Sequence, residues 1–187
     1  MERMKLNAGI VNYPMPVAIL GTELNGKRNF LTVSWFSMVS SAPPRIAVML
    51  GKKNMSNNVI KENRSFSICF PSKKHIEVTD YAGITEGEEV DKSDLFKVFY
   101  GEIKGAPMIE EFLMNVECKL YDVIESGENE IFIGDVLGIY ADKGVVYNET
   151  VDIARLEPLI LAHTTRQYRA LGEKLGNAWS IGREYKK

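Results

Sequence analysis

The chain has 187 residues, 45% hydrophobic and 26% charged, with a formal net charge of −2, the balance of an ordinary globular domain long enough to bury a full core. That charge excludes a general nucleic-acid binder, which needs a basic face for phosphates, and no apolar run reaches the roughly 20 residues that span a bilayer. The first residues lack the apolar segment of a signal peptide, so the expectation is one cytoplasmic domain, residues 1–187, with no membrane or nucleic-acid partner.

Residues 17–20 begin a strand, Asn25-Gly26 is a hairpin turn, and residues 29–34 return. The stretch Gly21-Thr22-Glu23-Leu24-Asn25-Gly26-Lys27 approaches a P-loop. It fails because Arg28 stands where the magnesium-binding hydroxyl belongs and because a strand follows where a helix should. Residues 46–50 and 66–70 read as further strands, with a short helix at 57–63 between them. Ser72 caps a second helix expected to run to about Tyr81 and to stop at Gly83. Residues 84–93 are acidic and read as a solvated loop. Strands at 115–125 and 130–141 follow, the second carrying Gly134 and Gly138, which mark bulges or tight curvature. The whole predicts a mainly β single domain with short helices, closed as a barrel. Near the end, Leu171-Gly172 and Leu175-Gly176 read either as an amphipathic helix ended by glycine or as chain passing close to a ligand or partner backbone.

Cys69 and Cys118 lie apart inside apolar runs and read as buried, inert thiols. His75 and His163 have no partner at metal-ligand spacing, so no metal is expected. No dinucleotide fingerprint, nucleophile elbow or catalytic acid–base pair stands out, so no catalytic residue is assigned. What remains is the segment between residues 32 and 56. Thr32-Val33-Ser34-Trp35-Phe36-Ser37 places hydroxyls and an indole at a strand end, where a flat ring can lie against backbone. Lys52-Lys53-Asn54-Met55-Ser56 follows a strand and opens a helix, a cradle for phosphate. A ring site beside a phosphate site suggests a mononucleotide-type cofactor.

In order and spacing these pieces resemble the flavin reductase-like family, and within it the flavoredoxin-type proteins. Further carriers are Pro43-Pro44, Thr79-Asp80-Tyr81-Ala82-Gly83, Glu86-Gly87 through Val90-Asp91-Lys92, and residues 168–176. The resemblance implies an FMN-binding split β-barrel and a homodimer with FMN at the subunit interface. Residues 32–37 would face the ring, the 53–56 loop would hold the phosphate, and residues 79–83 would line the pocket. Tyr168 would close over it, and His163 joins the expected cofactor-binding set. Some relatives carry arginine and histidine where this chain has Asn54 and Met55, a loss of charge that Lys52 and Lys53 offset. Others carry cysteine at the position of Ala82, so no thiol chemistry is assigned there. The function implied is FMN-dependent electron transfer: a flavin reductase with NADH or NADPH as donor, an electron carrier served by a redox partner protein, or a flavin store.

Overall fold

The computed structural model describes residues 2–183 and 185. In chain order its strands are β1 Pro14–Pro16, β2 Ala18–Leu24, β3 Lys27–Val33, β4 Phe36–Ser41, β5 Pro44–Gly51 and β6 Ser65–Phe70, then the short β7 Val98–Phe99 and β8 Met108–Ile109. The long β9 Met114–Ser126 and β10 Asn129–Ala141 follow, then β11 Val146–Tyr147, β12 Thr150–Val151, β13 Leu159–Ala162 and β14 Gln167–Ala170. The helices are α1 Met55–Asn63, α2 Ile76–Ile84 and the single turn α3 Ile153–Leu156.

Seven strands form one sheet in the order β3-β2-β6-β9-β10-β5-β4. Its two end strands, β3 and β4, are joined by only Ser34 and Trp35. A link that short reaches no more than about 7 Å per two residues, so the sheet must curl until its ends meet there. Beyond that point β4 turns to pair with β5, and the barrel stays split. Asn25 and Gly26 take positive φ at the β2–β3 turn, as the hairpin reading requires. Register shifts in the β9–β10 ladder fall at Ile133/Gly134 and Val136/Gly138, where the two interior glycines predicted them.

Alternate residues fill two layers. Inside the barrel lie Leu20, Val33, Ile46, Val48, Phe66, Ile68, Leu120 and Phe132, with Ile60 of α1 closing one mouth. The opposite side of the same strands sends Ile19, Phe30 and Cys69 against Ala82, Phe96, Ile109 and Phe112. Both faces of β2 are therefore covered, which is why its apolar run is nearly continuous.

Three expectations are corrected. Gly83 does not stop the second helix, which runs to Ile84 with Thr85 as its cap. A side chain at Gly83 would meet Thr32 Cβ at 3.1 Å, so the glycine is there to let α2 approach β3. The helix also starts later than expected, because Lys73–His75 form a separate 3₁₀ turn after Ser72. Residues 171–183 form no helix; Leu175, Trp179 and Ile181 are exposed, so no apolar face is covered to stabilise one. Among the described residues no helix is long and apolar enough to cross a membrane.

Both cysteines are buried. Burial pushes the Cys69 thiol up to about 12 and that of Cys118 up as well. A thiol reagent at neutral pH is therefore expected to label neither in the native protein and both in denaturant. Rapid native labelling would contradict the inert reading.

Candidate functional site

The closure point of the barrel opens onto two joined clefts. The first, about 270 Å³, is lined by Leu31, Thr32, Val33, Ser34, Trp35, Met49, Leu50, Gly51, Asn54, Asn129 and His163. The second, about 410 Å³, shares Leu31 and Asn54 with it and continues along Asn29, Lys53, Met55, Gly83, residues 85–88 and Lys92. Together they make a groove of the size that holds a cofactor.

Strand geometry makes the first cleft. The side chain of Val33 turns into the barrel core, so its neighbours Thr32 and Ser34 face outward. Thr32 Oγ1 donates to the carbonyl of Thr79 at 2.5 Å, tying β3 to α2. Trp35 lies outside both core clusters, with its carbonyl accepting from Met49 N at 2.8 Å. The His163 ring stands 5.9 Å from the Trp35 ring, and its Nδ1 is buried without a hydrogen-bond partner. Phe36 and Ser37 sit on the far side of Trp35, where with Tyr13, Pro16, Val39, Ala47 and Ile131 they line a separate, mostly apolar cleft of about 630 Å³. Ser34, Trp35 and Met49 form the wall common to that cleft and the first.

The second cleft begins where β5 ends. The Gly51 carbonyl accepts from Asn54 N at 3.0 Å, from Asn54 Nδ2 at 3.1 Å and from Asn57 Nδ2 at 3.1 Å. These bonds fold residues 51–54 into the start of α1 and leave Lys53 and Met55 on the cleft. Lys53 makes no ion pair among the described residues. Lys52 points away, its Nζ 2.8 Å from Glu125. Ser56 is buried, and its hydroxyl accepts from Asn29 Nδ2 at 3.0 Å. The Asn29 Oδ1 that remains is a buried, partnerless acceptor, held close beside Gly87, where a Cβ would come within 2.6 Å of it.

Among residues 79–83, Thr79 and Ala82 lie on the buried face of α2, Asp80 and Tyr81 are exposed, and Gly83 alone lines the groove. Tyr168 does not reach the cleft wall; its hydroxyl donates to Asp80 Oδ1 at 3.0 Å.

The acidic loop holds a residue, Lys92, that the sequence marked only as a carrier of the resemblance and gave no role at the site. Lys92 is 2% exposed, and its Nζ donates to the carbonyls of Phe30 at 3.0 Å, Ala82 at 2.9 Å and Thr85 at 2.7 Å. The loop is thus not wholly solvated as expected, because this ammonium is drawn inward by three carbonyl ends. Burial lowers its pKa, yet no carboxylate among the described residues pairs with it, so it brings an unneutralised positive charge to the groove wall. A single lysine within an acidic run was the one local signal for it.

One result checks the ring side directly. Trp35 lines the groove, whereas Trp179 is 94% exposed on the tail. A flat, absorbing ligand in the first cleft is expected to quench Trp35, and Trp35→Phe is expected to remove that quenching. Equal quenching in the variant would place the ligand elsewhere.

Residues 10–172 match the family described as flavin reductase like domain. Among solved structures, the chain is similar to the flavoredoxin from Methanosarcina acetivorans, 38% identical over 98% of both chains with a TM-score of 0.95. It is also similar to the flavoredoxin of Desulfovibrio vulgaris (Miyazaki F), 33% identical over 97% of this chain and 100% of that one, with a TM-score of 0.90. The NADH-dependent FAD reductase of Streptomyces globisporus is 24% identical over 73% of this chain and 75% of its own length. The chain spans 55% of the length of one curated relative and 90% of that of another. The split barrel and the family match agree: this chain belongs to the flavin reductase-like family.

Proposed function

We propose that the protein binds FMN along the groove, ring in the first cleft and phosphate in the second, and works as an NAD(P)H-dependent flavin reductase. The residues suit the group. Thr32, Ser34 and backbone at the closure point offer donors and acceptors to a ring edge, and Lys53 with the buried charge of Lys92 suits an anion. The partnerless His163 Nδ1 sits beside the ring cleft. Bound flavin supplies the redox chemistry; the protein orients it and tunes it, so no acid–base pair is needed. Lys52 and Ser56 support the loop from behind rather than by direct contact, through Glu125 and Asn29.

The observation that carries the reductase reading is the apolar cleft sharing Ser34, Trp35 and Met49 with the ring cleft. It gives a second flat molecule, such as a nicotinamide, a place against the same wall. The second reading, an electron carrier between partner proteins, draws support from the likeness to flavoredoxins. Saturation with FMN followed by an absorption spectrum, then steady-state oxidation of NADH and NADPH, tests both. One flavin per chain with turnover supports the reductase, flavin without turnover supports the carrier, and a colourless protein overturns both.

The working unit in this reading is a homodimer. A continuous apolar surface runs from Phe36, Met38 and Ile139 past Phe70 and Met114 to Ile153 and Leu171. The terminal arms leave Leu6, Val11, Leu175 and Trp179 uncovered. A second copy of the chain would bury both. Light scattering is expected to give twice the chain mass; a monomer with full flavin occupancy would remove the interface from the site.

A further inference from the structure

The hairpin β13–β14 crosses from the barrel toward α2. Its root is fixed: Leu159 is buried, its carbonyl accepts from Val17 N at 3.2 Å, and β13 pairs with β1 over Pro14–Pro16. Its tip is the 3₁₀ turn His163–Thr165, which places His163 in the wall of the ring cleft. Among the described residues its return strand β14 is an edge, paired with β13 alone. Among the described residues, one side-chain hydrogen bond joins this strand to α2, from Tyr168 to Asp80. The residue next to Asp80 is Thr79, whose carbonyl holds Thr32 of the opposite cleft wall. The Tyr168–Asp80 bond thus spans from the hairpin that carries His163 to the helix whose Thr79 carbonyl holds Thr32 of β3.

We propose that Tyr168 and Asp80 form a latch that holds the hairpin over the ring cleft and sets the rate at which flavin enters and leaves. The inference rests on the reading that FMN lies in this groove. Tyr168 and Asp80 are positioning residues in it; neither touches the ring. Burial, and then the hydrogen bond to Asp80, push the Tyr168 phenol up to about 12, so its hydroxyl stays a donor throughout the neutral range. Because Asp80 is exposed, the bond lies at the weak end for one made to a carboxylate. A latch of that strength is closed most of the time yet opens often.

A gate lies on the path both in and out, whereas a ligand contact mainly slows exit. Tyr168→Phe removes one oxygen and keeps the ring, and Asp80→Asn keeps the shape and removes the charge. With FMN as probe, stopped-flow fluorescence gives the association rate on mixing and the dissociation rate on dilution. Each variant is expected to speed both rates by roughly three- to tenfold and to leave the equilibrium constant within about twofold. The double variant is expected to match either single one, since both remove the same bond. Faster dissociation with unchanged association would make Tyr168 a ligand contact and overturn the latch, as would rates that do not move, or a double variant that adds the two effects. A wild-type chain that takes up no flavin overturns the underlying reading and the latch with it. Thermal melts of the variants without FMN are expected to shift down by no more than about 5 °C, the loss of one weak bond, which separates a gate from a damaged fold.

Discussion

Lys92→Met is expected to destabilise the fold by about 3 kcal/mol and to weaken FMN more than riboflavin. The stability loss follows from the buried carbonyls of Phe30 and Ala82 and the half-buried one of Thr85, which lose their shared donor. An unsatisfied buried acceptor costs about 1–3 kcal/mol, and removing a desolvated charge returns part of that sum. For a chain of this length the melting temperature is expected to fall by roughly 6–12 °C. The ligand effect follows from charge. Lys92 has spent its three N–H donors on carbonyls, so it acts on a phosphate only as a point charge, while Lys53 keeps its donors free. Lys53→Ala is therefore expected to lower FMN affinity about ten- to hundredfold, the worth of a charge-assisted contact, and to leave stability nearly unchanged. Riboflavin, with the same ring and no phosphate, is the control. Equal weakening of both ligands by Lys53→Ala would show that the second cleft does not hold the phosphate. A melting temperature unmoved by Lys92→Met would show that water replaces the ammonium at no cost.

Gly21→Ala is expected to be the most damaging single methyl in the barrel. The added Cβ would lie 2.5 Å from the Pro107 carbonyl oxygen and 2.5 Å from Ser67 Oγ. Neither neighbour yields easily. Ser67 is buried and donates to that same Pro107 oxygen. The loop before Pro107 is pinned by the Gly105 carbonyl, which accepts from Glu23 N at 3.2 Å and from Asn63 Nδ2 at 3.1 Å. It is pinned again by the buried Glu117 carboxylate, which accepts from Ile103 N at 2.7 Å. Overpacking against backbone lies at the upper end of its range, about 3 kcal/mol. Urea melts measure the loss, with Gly9→Ala, which meets nothing within 4 Å, as the control. A loss below about 1 kcal/mol would show that the 101–107 loop lifts off β2. The P-loop-like glycine thus serves packing, as the hairpin reading implies.

The sequence by itself determined the long elements. The apolar run at residues 46–50, the alternation of large residues along 66–70, the Asn25-Gly26 turn and the glycines of β10 are local signals. Each acts through its own φ, its own side-chain direction or its immediate neighbours, and each holds in the structure within a few residues. The Thr32–Trp35 segment was also legible as the lining of a cleft, because hydroxyl side chains at a strand end have no core to enter. Only the tertiary structure decided the rest. Strands β1, β13 and β14 have three or four residues each; β1 pairs with β13 across more than 140 residues of chain, and β14 forms only as the hairpin return on that anchored strand. The fate of each cation depended on distant partners. Lys52 is drawn to Glu125, Lys92 to carbonyls from β3 and α2, and Lys53 stays on the cleft. Three lysines with one chemistry thus acquire three roles, because charge and donor count are properties of a residue, whereas burial and partner are properties of the fold.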